Sequence, residues 1–326
     1  MTNNNQLAVK VVDRKQLNND IVGLTLATLD GSPLPAWEPG AHVEVQLTPE
    51  DGGDQDAVML RHYSLCGDYT CTDRWELAVL REQNGRGGSQ YIHENIKVGD
   101  VIPVSAPRNH FSFKAEKKVL FIAGGIGITP ILPMIQKAEA EGLDWRLVYL
   151  ARERSRLVYL DRFAGYDQSR IRLNGDQEDG YCDLKALLNS CEPGTSVYSC
   201  GPKPLLDALE KLHGEQETAN WSLTIERFSA SDSALDQSGS FDVVINSTGK
   251  RIHVPQGRSI LETLRDQGIK ITCSCRDGVC GTCETKVLSG LPDHRDSVLS
   301  AEERADNDYM MVCVSRALSE ELVLDL

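Results

Sequence analysis

Residues 273–283 read CSCRDGVCGTC, placing four thiols within eleven residues. Three of them, Cys275, Cys280 and Cys283, have the spacing CxxxxCxxC, and Cys313 follows downstream in MMVCVSRA. One tight loop can wrap three thiolates around a [2Fe-2S] cluster while a distant strand supplies the fourth, and this spacing is the one that arrangement uses. Gly278 and Gly281 suit the task, because a backbone without Cβ atoms can approach closely and aim its N–H groups at sulfide. A structural zinc site would show two CxxC-like pairs or Cys/His pairs. Here only one short pair exists, and no histidine stands at zinc-finger spacing from it. Cys273 would need a six-residue gap to Cys280, so it is read as a neighbouring thiol and not as a ligand.

Two glycine-rich turns carry different chemistry. In GRGGSQYIHENI, Gly87, Gly88 and Ser89 lead into a predicted helix and present backbone N–H groups at its positive end, a ready anion site. In AGGIGITP, Gly124, Gly125 and Gly127 lie between a strand and a helix, with Pro130 suited to the first helical turn. The second turn departs from the full GxGxxG fingerprint, since no third glycine follows at the helix-packing position, and a plain tight turn would look the same. The next strand ends ARERSR. It offers Glu153, an acid for a ribose, together with Arg152, Arg154 and Arg156, bases for a phosphate, and so leaves NADH and NADPH both open.

The elements that must hold these residues fall into three segments. Up to about Phe113, six short alternating runs (LAVKVV, IVGLTLATL, AHVEVQL, MLRHYSLC, WELAVLR and DVIPVSA) are separated by turn residues and predict a small antiparallel barrel over 1–113. From 114 to 228 strands alternate with helices. KVLFIAGG, WRLVYLA, RIRLN, SVYSC and WSLTIERF read as strands, and ITPILPMIQKAEAEG, SRLVYLDRF, DLKALLNS and PLLDALEKLH as helices, which predicts a doubly wound parallel sheet. SASDSALDQSGS, residues 229–240, is small and polar and reads as a linker. Residues 241–326 then predict a hairpin in FDVVINSTGKRIHVP, an amphipathic helix in SILETLRDQG, a capping box at Ser300 and Glu303, and closing strands in YMMV and ELVLDL.

A chain of 326 residues accommodates two or three domains. Five of the ten cysteines crowd into the last fifth of the chain, a metal-centre pattern rather than a disulfide framework. No secretory or transit segment and no stretch of 18 apolar residues is evident, so a soluble cytoplasmic protein is expected. The net charge of −14 argues against a nucleic-acid or anionic-membrane partner and suits docking to a basic patch on another protein.

The cysteine loop, with CETKVLSG and DHRDSVLSAEE after it, resembles the C-terminal plant-type ferredoxin domain of the phthalate dioxygenase reductase family, the flavin and iron–sulfur reductases that serve Rieske-type oxygenases. The resemblance extends over nearly the whole chain. Arg61, Tyr63 and Ser64 in RHYSL match the RxYS motif of the wider ferredoxin reductase superfamily. It implies an FMN site with Arg61 and the Gly87–Ser89 turn around the phosphate, Tyr63 against the ring system or ribityl chain, and Ser64 near the position where hydride arrives. An FAD would need an adenine platform, and none is identifiable. Likewise GGxGxTP resembles the family's dinucleotide loop, with Thr129 facing the flavin. Cys200, Gly201 and Pro202 match its CGP motif beside the nicotinamide, and Glu226 and Phe228 its ERF end against the flavin, although Phe228 could equally be ordinary core.

The resemblance thus implies an enzyme of three modules: an FMN barrel, a nicotinamide domain and a β-grasp [2Fe-2S] domain. Ser64, Thr129, Cys200 and Glu226 would surround the reacting atoms. Hydride from NADH carries two electrons and the cluster accepts one, so a flavin must stand between them. The expected partner is a separate terminal Rieske non-haem iron oxygenase, whose substrate the sequence does not name, and the reductase is expected to act as a single chain. Two readings compete. A redox sensor would hold the same cofactors without turnover, and a self-contained oxygenase would need a His-rich iron site that is not evident.

Overall fold

The computed structural model describes residues 6–48, 58–83, 85–114, 117–215, 220–228 and 239–326. The expected linker 229–240 lies outside the described residues apart from Gly239 and Ser240. The chain divides into two compact units, Met1–Glu226 and Arg227–Leu326.

In the first unit, β1 (Gln6–Gln16), β2 (Ile21–Thr28), β3 (His42–Leu47), β4 (Met59–Ser64), β5 (Trp75–Leu80) and β6 (Val101–Ser105) form one sheet in the order β4-β3-β6-β1-β2-β5. All its neighbouring strands are antiparallel. A bridge between Leu65 and Leu77 joins the first strand in that order to the last, so the sheet closes on itself. Alternation along β3 explains which face is inside: Val43, Val45 and Leu47 are buried, while Glu44 and Gln46 are not. Helix α1 (Gly88–Asn95) adds Ile92 to the same core.

The same unit continues with β7 (Lys118–Gly124), α2 (Ile128–Ala140), β8 (Asp144–Ala151), β9 (Ile171–Gly175), α3 (Asp176–Asp179), α4 (Leu184–Asn189), β10 (Thr195–Cys200), α5 (Lys203–Gly214) and β11 (Trp221–Glu226). These strands make a parallel sheet in the order β11-β10-β7-β8-β9. Helices cover both faces, which is why VLFIA in β7 is apolar without alternation. Val119, Phe121 and Ala123 join the α2 side with Ile131, Met134 and Ile135, whereas Leu120 and Ile122 pack with Leu188 of α4 and Leu209 of α5. Apart from Ala123, each such buried side chain is worth about 1.5–3 kcal/mol. The chain direction across the sheet reverses between β7 and β10, and the crevice that ligands use in such folds opens at the carboxyl ends of those two strands.

One element differs from expectation. SRLVYLDRF does not form a helix; it makes two 3-10 turns, Arg154–Arg156 and Leu160–Phe163. Tyr159 between them sits in the left-handed region at φ 59. The cause is tertiary: Leu157 and Val158 are buried in the core, and the Val158 N–H donates to the Tyr149 hydroxyl at 3.2 Å instead of to a helical carbonyl.

The second unit contains β12 (Phe241–Ile245), β13 (Lys250–Val254), α6 (Ile260–Asp266), β14 (Glu284–Ser289), β15 (Pro292–Asp293), α7 (Ala301–Asp306), β16 (Tyr309–Met311), β17 (Arg316–Ala317) and β18 (Glu321–Leu324). Its main sheet runs β13-β12-β18-β14-β16, with β12 and β18 parallel, and β15 pairs separately with β17. This is a β-grasp arrangement, with α6 laying Ile260, Leu261 and Leu264 on the core beside Val243 and Leu322. Capping boxes are formed at Ser259–Glu262, starting α6, and at Ser300–Glu303, starting α7. No helix among the described residues is long and apolar enough to cross a membrane.

Candidate functional site

The cysteine loop joins α6 to β14 and has no regular structure of its own. Cys275, Cys280 and Cys283 are buried on it, and Cys313, just beyond β16, is buried beside them. The Cys280 thiol donates to the Thr282 hydroxyl at 3.3 Å. The neighbouring Cys280 and Cys313 hold the Cys275 thiol well below the ordinary thiol range, while Cys280, Cys283 and Cys313 are pushed up by their sulfur neighbours and by burial. Such a packed set of sulfurs is the donor set that soft metal ions and iron–sulfide clusters satisfy. Cys273 is closer to this set than its spacing suggests. It is only partly exposed, and the neighbouring Cys283 and Cys313 hold its thiol below the ordinary range.

The loop backbone is built for close approach. Arg276, Gly278 and Gly281 all have positive φ, at 58°, 65° and 72°. The Asp277 N–H points at Cys275 Sγ at 3.3 Å. A Cβ at Gly278 would lie 2.5 Å from Val314 Cγ2 and 3.1 Å from Asp296 Cα, so only glycine fits there. Asp296, which sequence reasoning did not single out, is the support behind this contact. Its buried carboxylate accepts the N–H groups of Val298 and Leu299 at 3.0 and 2.8 Å and the Ser315 hydroxyl at 3.4 Å. The Ser297 N–H donates to the Gly278 carbonyl at 2.8 Å. Thiol set and glycine cradle together fit a [2Fe-2S] cluster.

In the first unit, strand alternation puts Arg61 and Tyr63 on one face of β4. Gly88, the first residue of α1, presses on Arg61: a Cβ there would be 2.3 Å from Arg61 Nε. The two sequence motifs, 25 residues apart, therefore meet. The Arg61 guanidinium donates to the carbonyls of Leu60 at 2.9 Å and Arg86 at 2.6 Å. Gly87 at φ 80 caps α1 without any side-chain cap, and the Ser89 hydroxyl accepts the Glu82 N–H at 3.1 Å. Ser64 is buried at the end of β4, and burial pushes the Tyr63 phenol up. A guanidinium beside an uncapped helix N-terminus fits a phosphate.

At the crevice of the parallel sheet, the loops after β7 and β10 touch through glycines. A Cβ on Gly127 would lie 2.2 Å from the Cys200 carbonyl oxygen, one on Gly124 2.6 Å from Pro202 Cδ, and one on Gly201 2.9 Å from Gly124 Cα. Gly125 at φ 54 opens the turn, which ends under α2. Thr129 is buried, and its hydroxyl donates to the Ile126 carbonyl at 2.9 Å, fastening the turn. Cys200 and Glu226 are register partners on β10 and β11. Glu226 Oε2 is sealed from solvent and has no hydrogen-bond partner among the described residues, although the residue as a whole is only partly buried. Burial pushes this carboxyl up to about 8, and burial together with the Glu226 charge raises the Cys200 thiol. Glycine turns packed this closely at the carboxyl ends of β7 and β10 fit the near approach of backbone that a dinucleotide site needs.

The arginines after β8 are unequal. Arg154 grips Asp179 through two bonds of 2.9 and 2.7 Å, and Arg156 pairs with Asp20 at 3.4 Å. Arg152 is exposed, and Glu153 receives a hydrogen bond from Ser155 at 3.3 Å. Phe228 is 42% exposed and is not core. Sequence reasoning also missed the contacts that tie the sheet to the barrel, made by Tyr159, Arg162 and Gln136. Their barrel partners lie 68 to 96 residues away, so no local spacing announces them.

Residues 243–318 match the family model described as a 2Fe-2S iron-sulfur cluster binding domain. The carnitine monooxygenase reductase subunit of Escherichia coli (strain K12) is 37% identical over 329 residues, covering 100% of both chains. Phthalate dioxygenase reductase of Burkholderia cepacia is 36% identical over 325 residues, covering 98% of this chain and 97% of that one. Among solved structures, an intact type IV self-sufficient cytochrome P450 monooxygenase matches with a TM-score of 0.85 at 37% identity. That match covers 98% of this chain but 41% of the P450 chain, so this protein spans about two-fifths of that length.

Proposed function

The chain belongs to the phthalate dioxygenase reductase family, and from that premise we propose that it is the reductase component of a Rieske-type oxygenase system, taking electrons from NADH and passing them to a separate terminal oxygenase. It is an oxidoreductase with a flavin site, a nicotinamide dinucleotide site and a [2Fe-2S] site. The bound flavin supplies the conversion between two-electron hydride chemistry and one-electron transfer to the cluster. The domain limits proposed are 1–113, 114–228 and 241–326, joined by 229–240.

The observation that carries this reading is the meeting of Gly127 with the Cys200 carbonyl, with Glu226 alongside at the switch point of the sheet. There the glycine turn would hold the pyrophosphate, and Cys200 and Glu226 would border the nicotinamide. Glu226 would keep a proton near neutrality and offer its oxygen to the carboxamide or ring edge. FMN is favoured by Arg61 and the α1 N-terminus as a single phosphate site, with Tyr63 and Ser64 on the strand beside them. NADH is favoured over NADPH because Arg154 and Arg156 are already engaged by Asp179 and Asp20; Glu153 would meet a ribose hydroxyl, with Arg152 exposed beside it. The four ligands would be Cys275, Cys280, Cys283 and Cys313. A cytoplasmic, single-chain protein completes the proposal.

The test uses purified protein loaded with FMN and cluster. NADH should drive rapid reduction of cytochrome c, and substrate should turn over when a matched Rieske oxygenase is added. Full cofactor occupancy without any NADH-dependent reduction would overturn the reading in favour of a sensor. A second reading, a cytochrome P450 as acceptor, rests on the P450 match. Faster oxidation of the reduced protein by a P450 than by any Rieske oxygenase would favour it.

A further inference from the structure

Arg162 has no place in any of the motifs above, yet its guanidinium crosses from the parallel-sheet region to the barrel. Its Nη1 donates to the Cys66 carbonyl at 2.6 Å, and its Nη2 pairs with the Glu76 carboxylate. These partners are neighbours across the barrel seam: the Cys66 N–H donates to the Glu76 carbonyl at 2.9 Å, beside the Leu65–Leu77 bridge that closes the sheet. Cys66 stands two residues beyond Ser64. The same arginine stacks on the Tyr159 ring, 4.4 Å from its centroid, and the Tyr159 hydroxyl reaches Cys66 Sγ at 3.6 Å.

Two features show that the arrangement is specified and not incidental. Tyr159 adopts φ 59, a left-handed conformation that non-glycine residues rarely take, with its ring under the Arg162 guanidinium. Glu76 is held over Gly67, where a Cβ would lie 3.2 Å from its Cβ and Cγ. A second tie runs parallel: Gln136 on α2 donates to Asp68 at 2.7 Å. The two segments leaving the dinucleotide crevice, the loop after β8 and helix α2, are thus both fastened to Cys66–Asp68, directly behind the strand that carries Arg61, Tyr63 and Ser64. Cys66, Asp68, Gln136 and Arg162 line a cavity of about 250 Å³ together with Leu132 and Phe163.

We propose that Arg162 is a positioning residue for hydride transfer: by clamping the Tyr159–Phe163 segment to the barrel seam at Cys66 and Glu76, it sets the approach of the nicotinamide to the flavin. The inference rests on the proposed function, in which hydride leaves the dihydronicotinamide with both electrons and arrives on the flavin ring. A planar fork is needed because one guanidinium serves a carbonyl and a carboxylate at once, which an ammonium cannot do with the same geometry. Arg162 touches neither reacting group, so it acts on distance and orientation, where about 1 Å of misplacement costs on the order of 100-fold in rate.

The test is anaerobic stopped-flow reduction of the full-length protein, loaded with flavin and cluster, over a range of NADH concentrations. In Arg162→Gln and in Glu76→Gln the limiting rate of flavin reduction should fall at least 10-fold, with NADH affinity changed less than about 3-fold. Arg162→Lys should recover part of the rate. Flavin content, cluster absorbance and reduction by dithionite should stay at the wild-type level. A limiting rate unchanged in Arg162→Gln overturns the inference, as does a loss that merely tracks flavin loss or unfolding in all three variants. Failure of the wild-type protein to be reduced by NADH would instead overturn the proposed function, so the two failures are distinguishable.

Discussion

Gly127→Ala should separate the two loops of the dinucleotide crevice by the addition of one methyl group. The new Cβ would lie 2.2 Å from the Cys200 carbonyl oxygen, 2.4 Å from its carbon and 2.7 Å from the Gly201 nitrogen. All three are backbone atoms, so no side-chain rotation relieves the contact. Ordinary Cβ contacts begin near 3.4 Å, and restoring one requires the turn before α2 and the end of β10 to part by about 1 Å, which predicts a roughly 100-fold loss in the rate of flavin reduction by NADH. Overpacking of this kind also costs about 1–3 kcal/mol of stability. The cluster lies in the other unit and should keep its absorbance. Gly125→Ala is the control: its Cβ would meet nothing within 4 Å, so only the strain of φ 54, about 1–2 kcal/mol, applies. The assay pairs single-turnover reduction with thermal unfolding of both variants. Wild-type reduction by Gly127→Ala with unchanged thermal stability would refute the contact as the reason for glycine.

Three other outcomes are expected. Cys275→Ser should abolish cluster absorbance while flavin reduction by NADH persists, whereas Cys273→Ser should leave the cluster nearly intact; loss in the second variant would show that the choice within CSC is wrong. Arg61→Gln should weaken FMN binding on the order of 10- to 100-fold, the worth of a charge-assisted hydrogen bond, and equilibrium fluorescence titration of the flavin checks it. Glu226 keeps a proton in the folded chain up to about pH 8, but an unfolded chain releases it near 4.5. The folded state therefore binds more protons across that window, and stability should fall as pH rises from about 4.5 to about 8, then level off. Glu226→Gln should remove that part of the slope in denaturant unfolding curves; an identical pH profile in the variant would contradict the assignment.

Much of this molecule is local, and what is local could be read from the sequence. The CxxxxCxxC spacing, the glycine turns, the capping box at Ser300 and Glu303 and the alternation of β3 each arise from residues a few positions apart, where backbone geometry alone dictates the outcome. The fold class follows from those patterns, because a two-residue period and an apolar strand without alternation demand different layers. Other features needed the folded chain. SRLVYLDRF has helical composition, yet burial of Val158 and the Tyr149 hydroxyl override it. Cys273 looked remote by spacing, and only loop closure brought it against Cys283 and Cys313. ARERSR could not say which arginine was available until Asp20 and Asp179 arrived from distant segments. Glu226 and Cys200 became a pair through strand register, and Arg162 found Cys66 and Glu76 across 96 and 86 residues. The physical reason is common to all of these: short-range spacing fixes which groups a turn or strand presents, whereas burial, charge pairing and pKa depend on neighbours supplied by chain segments that local sequence does not encode.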